Sequence, residues 1–197
     1  MSFIGVSGLA RSGKDLFFNL FSKEVEKLGL SCGRFALADK LKIEINPFLI
    51  SHYGIDIFNC TKEEKEIVRP ALISHGKIRR RQSEGRYWID KIEDSINKEG
   101  PLDFTCVTDI RYAEHSKDEL NWVKKEKGGT LLHISKYVLV GERKTFQEAT
   151  NEEEERNDPK LRREADYKIC WPDGEEEFSK IISSKVSDFA KWMLFEK

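Results

Sequence analysis

The chain has 197 residues, 39% of them hydrophobic and 11% aromatic, with 13 Gly and 5 Pro, enough apolar material for one sizeable core in a single domain. Charged residues reach 35%, yet 34 basic side chains against 35 acidic ones leave a net charge of −1, which argues against a general role in coating nucleic acid. No apolar run approaches the roughly 20 residues that span a bilayer, and Met1 to Val6 lacks the basic start and long apolar stretch of a signal peptide. The expectation is a soluble cytoplasmic protein with no membrane partner, its four cysteines (Cys32, Cys60, Cys106 and Cys170) reduced and packed as small hydrophobes.

Phe3 to Val6 is a short apolar run ending at Ser7-Gly8 and reads as a first strand. Phe17, Leu20, Phe21, Val25 and Leu28 then recur at helical spacing, and Gly29 stops that helix. Arg34 to Leu37 reads as a second strand, followed by helical patterns at about 62–81 and 86–98. Phe104 to Val107 is a third strand, about 113–127 a helix, Leu131 to Ile134 a fourth strand and Tyr167 to Trp171 a fifth. A last helix at about 175–195 places Phe178, Ile181, Ile182, Val186, Phe189 and Trp192 or Met193 on one face. Alternating strands and helices, with near-continuously apolar strands, predict a three-layer α/β/α fold around a five-stranded parallel sheet. Two stretches exceed a minimal repeat: the polar, helical segment from about Asn46 to Asn97, and the charged segment Lys136 to Asp166. Long excursions of this kind in compact domains are commonly functional lids or disordered segments.

Gly8-Leu9-Ala10-Arg11-Ser12-Gly13-Lys14-Asp15 reads G-x-x-x-x-G-K-D between the first strand and the first helix, the setting of a P-loop. Its glycines let the backbone curl into an anion-binding nest, the helix points its first amides at the anion, and Lys14 supplies a point charge. The candidate nucleotide-binding residues are therefore Gly8, Arg11, Ser12, Gly13, Lys14 and Asp15. Asp15 stands where Ser or Thr usually offers a hydroxyl to Mg²⁺; it either holds the ion or is a helix-start carboxylate favoured by the dipole.

Four further segments resemble the bacteriophage deoxynucleoside monophosphate kinases, a branch of the P-loop nucleotide kinases. Phe35-Ala36-Leu37-Ala38-Asp39-Lys40-Leu41-Lys42 is similar to that family's F-A-x-A-D-x-L-K stretch, and Arg69 to Arg80 to its R-x-x-L-x-x-x-G-x-x-x-R helix. Tyr87-Trp88-Ile89 resembles the aromatic run that follows, and Val107-Thr108-Asp109-Ile110-Arg111 the V-x-D-x-R segment, while Ala113-Glu114-His115 departs from the family's Asn-Glu. The resemblance covers about residues 1–135 in order. It implies ATP-dependent phosphorylation of deoxynucleoside monophosphates, with Mg²⁺, in a single domain carrying an acceptor-binding insertion at about 40–98 and a lid at about 136–166. It also allows a homodimer, and a phage source would put the protein in the host cytoplasm.

Phosphoryl transfer needs positive charge around the transferring oxygens, a metal and exclusion of water. Lys14 would hold the donor, with Asp15 and Asp109 near the metal; Asp109 after its apolar strand is either metal-facing or a helix cap. Arg111, two residues on, would share a face with Asp109 and contact phosphate unless it forms a structural ion pair. The resemblance places Asp39, Lys42, Arg69 and Arg80 around the acceptor monophosphate, where an Arg fork suits a phosphate dianion; Arg79, Arg80 and Arg81 read equally well as a solvated helix face. Phe35 and Trp88 either wall the acceptor base or belong to the core. Arg143, Arg156, Arg162 and Arg163 are lid candidates, and Asp173 and Gly174, beyond the fifth strand, are candidates to touch the donor adenine. The four histidines share no metal-ligand spacing and read as structural or surface residues. The alternatives are another small P-loop kinase, acting on phosphomevalonate or dephospho-coenzyme A, or an ATP-binding module without transferase activity.

Overall fold

The computed structural model describes residues 1–174 and 177–197. Strand β1 (Ser2–Ser7) is hydrogen-bonded on both sides, to β3 (Phe104–Ile110) and to β4 (Thr130–Val140), in parallel. β2 (Cys32–Phe35) adds to β3 and β6 (Tyr167–Pro172) adds to β4, giving five parallel strands in the order β2-β3-β1-β4-β6. A sixth strand, β5 (Arg143–Phe146), folds back antiparallel on the far end of β4. Every residue of β3 is buried, as expected of a strand inside a parallel sheet covered on both faces.

One face is covered by α1 (Lys14–Glu26) and α7 (Ser179–Phe195), whose Phe17, Phe21, Val25, Val186 and Phe189 pack on Ile4, Val6, Leu132 and Ile134. The other face is covered by α4 (Tyr87–Glu99), by α5 (Glu119–Asn121) with the π-helical turn Trp122–Glu126, and by α6 (Glu152–Glu164). There Ile89, Ile92, Trp122, Val123 and Leu161 meet Val107, Ile110 and Leu131. α2 (Leu37–Tyr53) and α3 (Lys62–Gln82) bury a small core of their own around Ile45, Leu49, Ile57 and Val68. Among the described residues, no helix is long and apolar enough to cross a membrane.

Several boundaries differ from the sequence patterns, each for a local reason. β2 ends at Phe35 and Leu37 already opens α2, because both carboxylate oxygens of Asp109 on the neighbouring strand accept the amides of Leu37 and Ala38 at 2.8 Å. Asp109 thus lies inside β3, which runs on to Ile110. The helix expected from about 113 begins only at Glu119, since Asp118 accepts the amides of Glu114, His115 and Glu119 and folds the preceding residues into a turn. The charged excursion contains the β4–β5 hairpin and α6, neither signalled by apolar periodicity. Ser179 opens α7; Glu175 and Glu176, within the expected last helix, lie outside the described residues. The cysteines are free, with Cys106 buried and its sulfur 3.8 Å from that of Cys32.

A buried ionic latch ties α3 to the end of β3. Arg80, 7% exposed, lies 3.5 Å over the Tyr112 ring and donates through both guanidinium arms to Asp118 and through one to Glu114. Truncating Asp118 leaves the Arg80 guanidinium without its two-armed partner in a dry site, with only the one bond to Glu114. Asp118→Ala is expected to lower the unfolding free energy by about 3–5 kcal/mol in urea titrations; a loss under about 1 kcal/mol would show that the latch is not what holds α3. Beside it, buried Glu119 accepts the amides of Arg111 and Tyr112. Burial first, and then the charge of Asp118, push its carboxyl up to about 8. The native state therefore keeps a proton that the unfolded chain releases near its ordinary value, so the stability from this group is complete below about pH 4.5 and is lost as pH rises through about 8. Glu119→Gln is expected to flatten the decline in unfolding free energy over that window, and an unchanged pH profile would contradict the assignment.

Candidate phosphate-binding site

The site lies at the C-terminal end of β1, where open parallel sheets place ligands. Beyond Ser7, Gly8 takes φ 137° and Gly13 φ 96°, both in the region that favours glycine. A Cβ on Gly8 would lie 2.3 Å from the carbonyl oxygen of Ile134, and one on Gly13 2.7 Å from the Trp171 ring. Trp171, buried at the end of β6, donates its indole N–H to the carbonyl of Ser12 at 2.9 Å and fixes the loop from below. Arg11 sits at φ 63°, a left-handed conformation that costs a non-glycine residue about 1 kcal/mol or more. The amides of Arg11 and Gly13 have no protein acceptor among the described residues.

Lys14, the first residue of α1, folds back so that its ammonium donates to the carbonyls of Gly8 and Leu9, both at 2.7 Å. Burial and then the charge of Arg111 lower its pKa to about 8, against the pull of Asp109, Glu154 and Asp15. It remains a cation at neutral pH. The loop thus encloses its own lysine, and an incoming phosphate would exchange for the two carbonyls.

The neighbouring charges form a chain from α1 to α2. Asp15 accepts from Arg34 at 2.9 and 3.0 Å, Arg34 also pairs with Asp39 at 3.0 Å, and Lys42 pairs with Asp39 at 2.9 Å. Burial opposes ionisation of Asp39, but the Lys42 and Arg34 hydrogen bonds outweigh it and hold its carboxyl below the usual range. The Asp15 side chain is largely exposed, whereas Asp109 is buried with both oxygens on the first amides of α2. Arg111 is exposed at the end of β3 and has no ion pair among the described residues; only its backbone is pinned, by Glu119. Its charge bears on Lys14 and favours the neutral amine.

Other candidates fall elsewhere. Arg80 is committed to the latch with Asp118 and Glu114, and Arg69 is an exposed residue that pairs with Glu66 on its own helix. Phe35 packs at the edge of the core between sheet and α4, and Trp88 is buried, donating to the carbonyl of Gly76 at 3.3 Å. Arg79 belongs to a cluster in which Glu44 also accepts from Tyr87 and pairs with His75. Of the four charged-excursion arginines, Arg162 comes nearest the loop, 5.3 Å from the Phe146 ring in a crevice with Leu9, Ser12, His133 and Asp158. Arg143 is exposed in β5, Arg156 reaches Glu114 at 3.3 Å, and Arg163 pairs with Glu164.

Beside Arg11 lies a cleft of about 270 Å³ walled by Tyr137, Val138 and Phe146, with Asp173 at its edge bound to Lys136 at 3.0 Å. Gly174, at φ 111°, turns the chain immediately beyond. Two residues that sequence patterns do not single out touch the loop directly. Glu154 of α6 accepts the Ala10 amide at 2.8 Å, and Gln147 donates to the Ala10 carbonyl at 2.5 Å. One Glu within a run of four and one loop Gln carry no distinguishing signal in sequence. The described residues hold no group of three or more His, Cys, Asp or Glu positioned to bind a metal unaided, which is compatible with Mg²⁺ because that ion keeps several waters and takes only one or two carboxylates beside phosphate oxygens.

No protein-family model matches the chain, and no curated protein does. Solved structures similar to it include a shikimate kinase from Acinetobacter baumannii in complex with shikimate, at a TM-score of 0.48 and 13% identity, covering 100% of this chain and 95% of that one. A shikimate kinase from Bacteroides thetaiotaomicron superposes at 0.44 with 11% identity over 100% and 99% of the two chains. A dephospho-CoA kinase from Campylobacter jejuni superposes at 0.42 with 14% identity over 98% of each. The functional reading of this chain rests on its own residues.

Proposed function

We propose that the protein is an ATP-dependent kinase whose acceptor is a deoxynucleoside monophosphate. The observation that carries the kinase reading is the curled loop Gly8–Lys14 at the end of β1, with the Arg11 and Gly13 amides lacking a protein acceptor among the described residues, a half-buried ammonium, and an exposed Arg111 whose charge bears on it. The deoxynucleotide acceptor is supported by the ordered resemblance of the Phe35–Lys42, Arg69–Arg80, Tyr87–Ile89 and Val107–Arg111 segments to the phage kinases, and by the cations Arg34 and Lys42 gathered on Asp39, with Arg34 also reaching Asp15.

In this reading the loop amides and Lys14 bind the outer donor phosphates, and Arg111 neutralises charge that develops on the transferring group. The cleft beside Arg11 takes the donor base between Phe146 and Asp173. Asp15, exposed at the start of α1, would hold Mg²⁺, which supplies charge neutralisation on the phosphate oxygens; the bound amides of α2 leave Asp109 a supporting position. Arg34 and Lys42 orient the acceptor phosphate. The hairpin and α6 close over the loop and exclude water.

Incubation with ATP and Mg²⁺ is expected to release ADP only when an acceptor is present, and to do so with one or more deoxynucleoside monophosphates. A panel that also holds ribonucleotides, phosphomevalonate and dephospho-coenzyme A separates the kinase readings. ATP binding without acceptor-dependent ADP release would sink the kinase assignment in favour of a binding module. Lys14→Met is expected to lower the transfer rate by about a hundredfold or more, and full retention of the rate would contradict the role given to Lys14.

A further inference from the structure

We propose that Glu154 is an anionic gate on the phosphate loop, occupying with its carboxylate a position that the outermost phosphate of the donor must take. The inference rests on the reading of the loop as a donor-phosphate seat. α6 opens with Glu152 to Glu155, and Asn151 caps it by accepting the Glu154 amide at 3.0 Å. The Glu154 side chain bends back over the start of its own helix: one oxygen accepts the Ala10 amide at 2.8 Å, the other the Thr150 amide at 3.1 Å and hydroxyl at 2.9 Å. Ala10 immediately precedes left-handed Arg11, in the part of the loop whose amides turn toward a bound anion.

The next peptide of the loop is held as well, where Gln147 donates to the Ala10 carbonyl. Gln147, just after β5, and Glu154, in the first turn of α6, therefore hold the two peptide groups that flank the Ala10 Cα. The charge is close enough to favour the protonated form of Lys14, so the carboxylate stands in electrostatically for a phosphate oxygen. The adjacent Glu153 pairs with Lys77 of α3 at 2.6 Å, which places the first turn of α6 between the donor loop and the helices that follow β2. A polyphosphate brings several negative charges to this nest and displaces the single carboxylate. A ligand with one phosphate or none competes poorly. The cost is a donor affinity reduced by the fraction of molecules in which the gate is shut.

The test compares equilibrium affinities of the whole protein for ATP and for inorganic tripolyphosphate, with and without Mg²⁺, in wild type, Glu154→Gln, Glu154→Ala and Glu155→Gln. Glu155 is exposed, lies in the same acidic run and has no ion-pair partner among the described residues, so it reports the general charge effect. A hydrogen bond to a charged group sets the expected size: both Glu154 variants bind ATP and tripolyphosphate roughly tenfold tighter, while Glu155→Gln stays within about twofold. Glu154→Gln retains an acceptor for Thr150 and guards against loss of the α6 start, which a thermal melt checks. Ala10 amide exchange, slow in the free wild type, should quicken in Glu154→Ala. Wild type that binds ATP while folded Glu154 variants bind it equally or more weakly would overturn the gate and leave the donor site intact. No binding by any of the four proteins would overturn the donor-site reading and the gate with it.

Discussion

A positive charge held away from water at the end of a parallel sheet governs this site. The Lys14 ammonium has lost much of its hydration, which alone would favour the neutral amine. The protein compensates by bending a loop until two carbonyls, those of Gly8 and Leu9, face the charge. That bend requires glycine at 8 and 13, where a Cβ would strike Ile134 or Trp171, and it forces Arg11 into the left-handed region. The order of β1, β4 and β6 follows from the same demand, because β4 supplies the Ile134 carbonyl and β6 the Trp171 indole that close the loop from outside.

The rest of the charge is largely spent on pairing. Arg80 latches α3 to Asp118, Arg34 and Lys42 share Asp39, and Glu44 gathers His75, Arg79 and Tyr87. Such pairs cost desolvation and contribute geometry more than free energy. They tie α2 to β2, α3 and α4, and α3 to the segment after β3. Arg111 differs because its backbone is held by a buried carboxyl while its side chain is exposed with no ion pair among the described residues, so a cation is positioned without being neutralised.

Sequence patterns revealed the α/β alternation, the five parallel strands and the loop, because each depends on local spacing: apolar runs, Phe17 and Phe21 one turn apart, and glycines flanking a lysine. Where a side chain distant in sequence decides the outcome, the patterns fell short. Asp109 draws the chain into α2 at Leu37, 72 residues away, and Asp118 delays α5 by capping a turn. The β4–β5 hairpin and α6 escaped detection because exposed residues dominate them; Leu161 and Asn157 are the buried positions of α6. Within the site, the motif residues lie where their spacing put them, whereas Arg69 and Arg80 engage carboxylates that no spacing rule identifies. Glu154 and Gln147 meet Ala10 across more than 130 residues, a juxtaposition only the folded chain displays.

The most direct test of the Lys14 account is calorimetric titration of the protein with ATP in buffers of different ionisation enthalpy, which counts the protons exchanged on binding. In the free protein the lysine titrates near pH 8, and phosphates in place of the carbonyls would raise that value. Binding should therefore take up close to one proton per nucleotide at about pH 9 and almost none at about pH 7, with affinity falling as pH rises above about 8. ATP binding at pH 9 without proton uptake would contradict a buried lysine whose charge is completed by the donor phosphates.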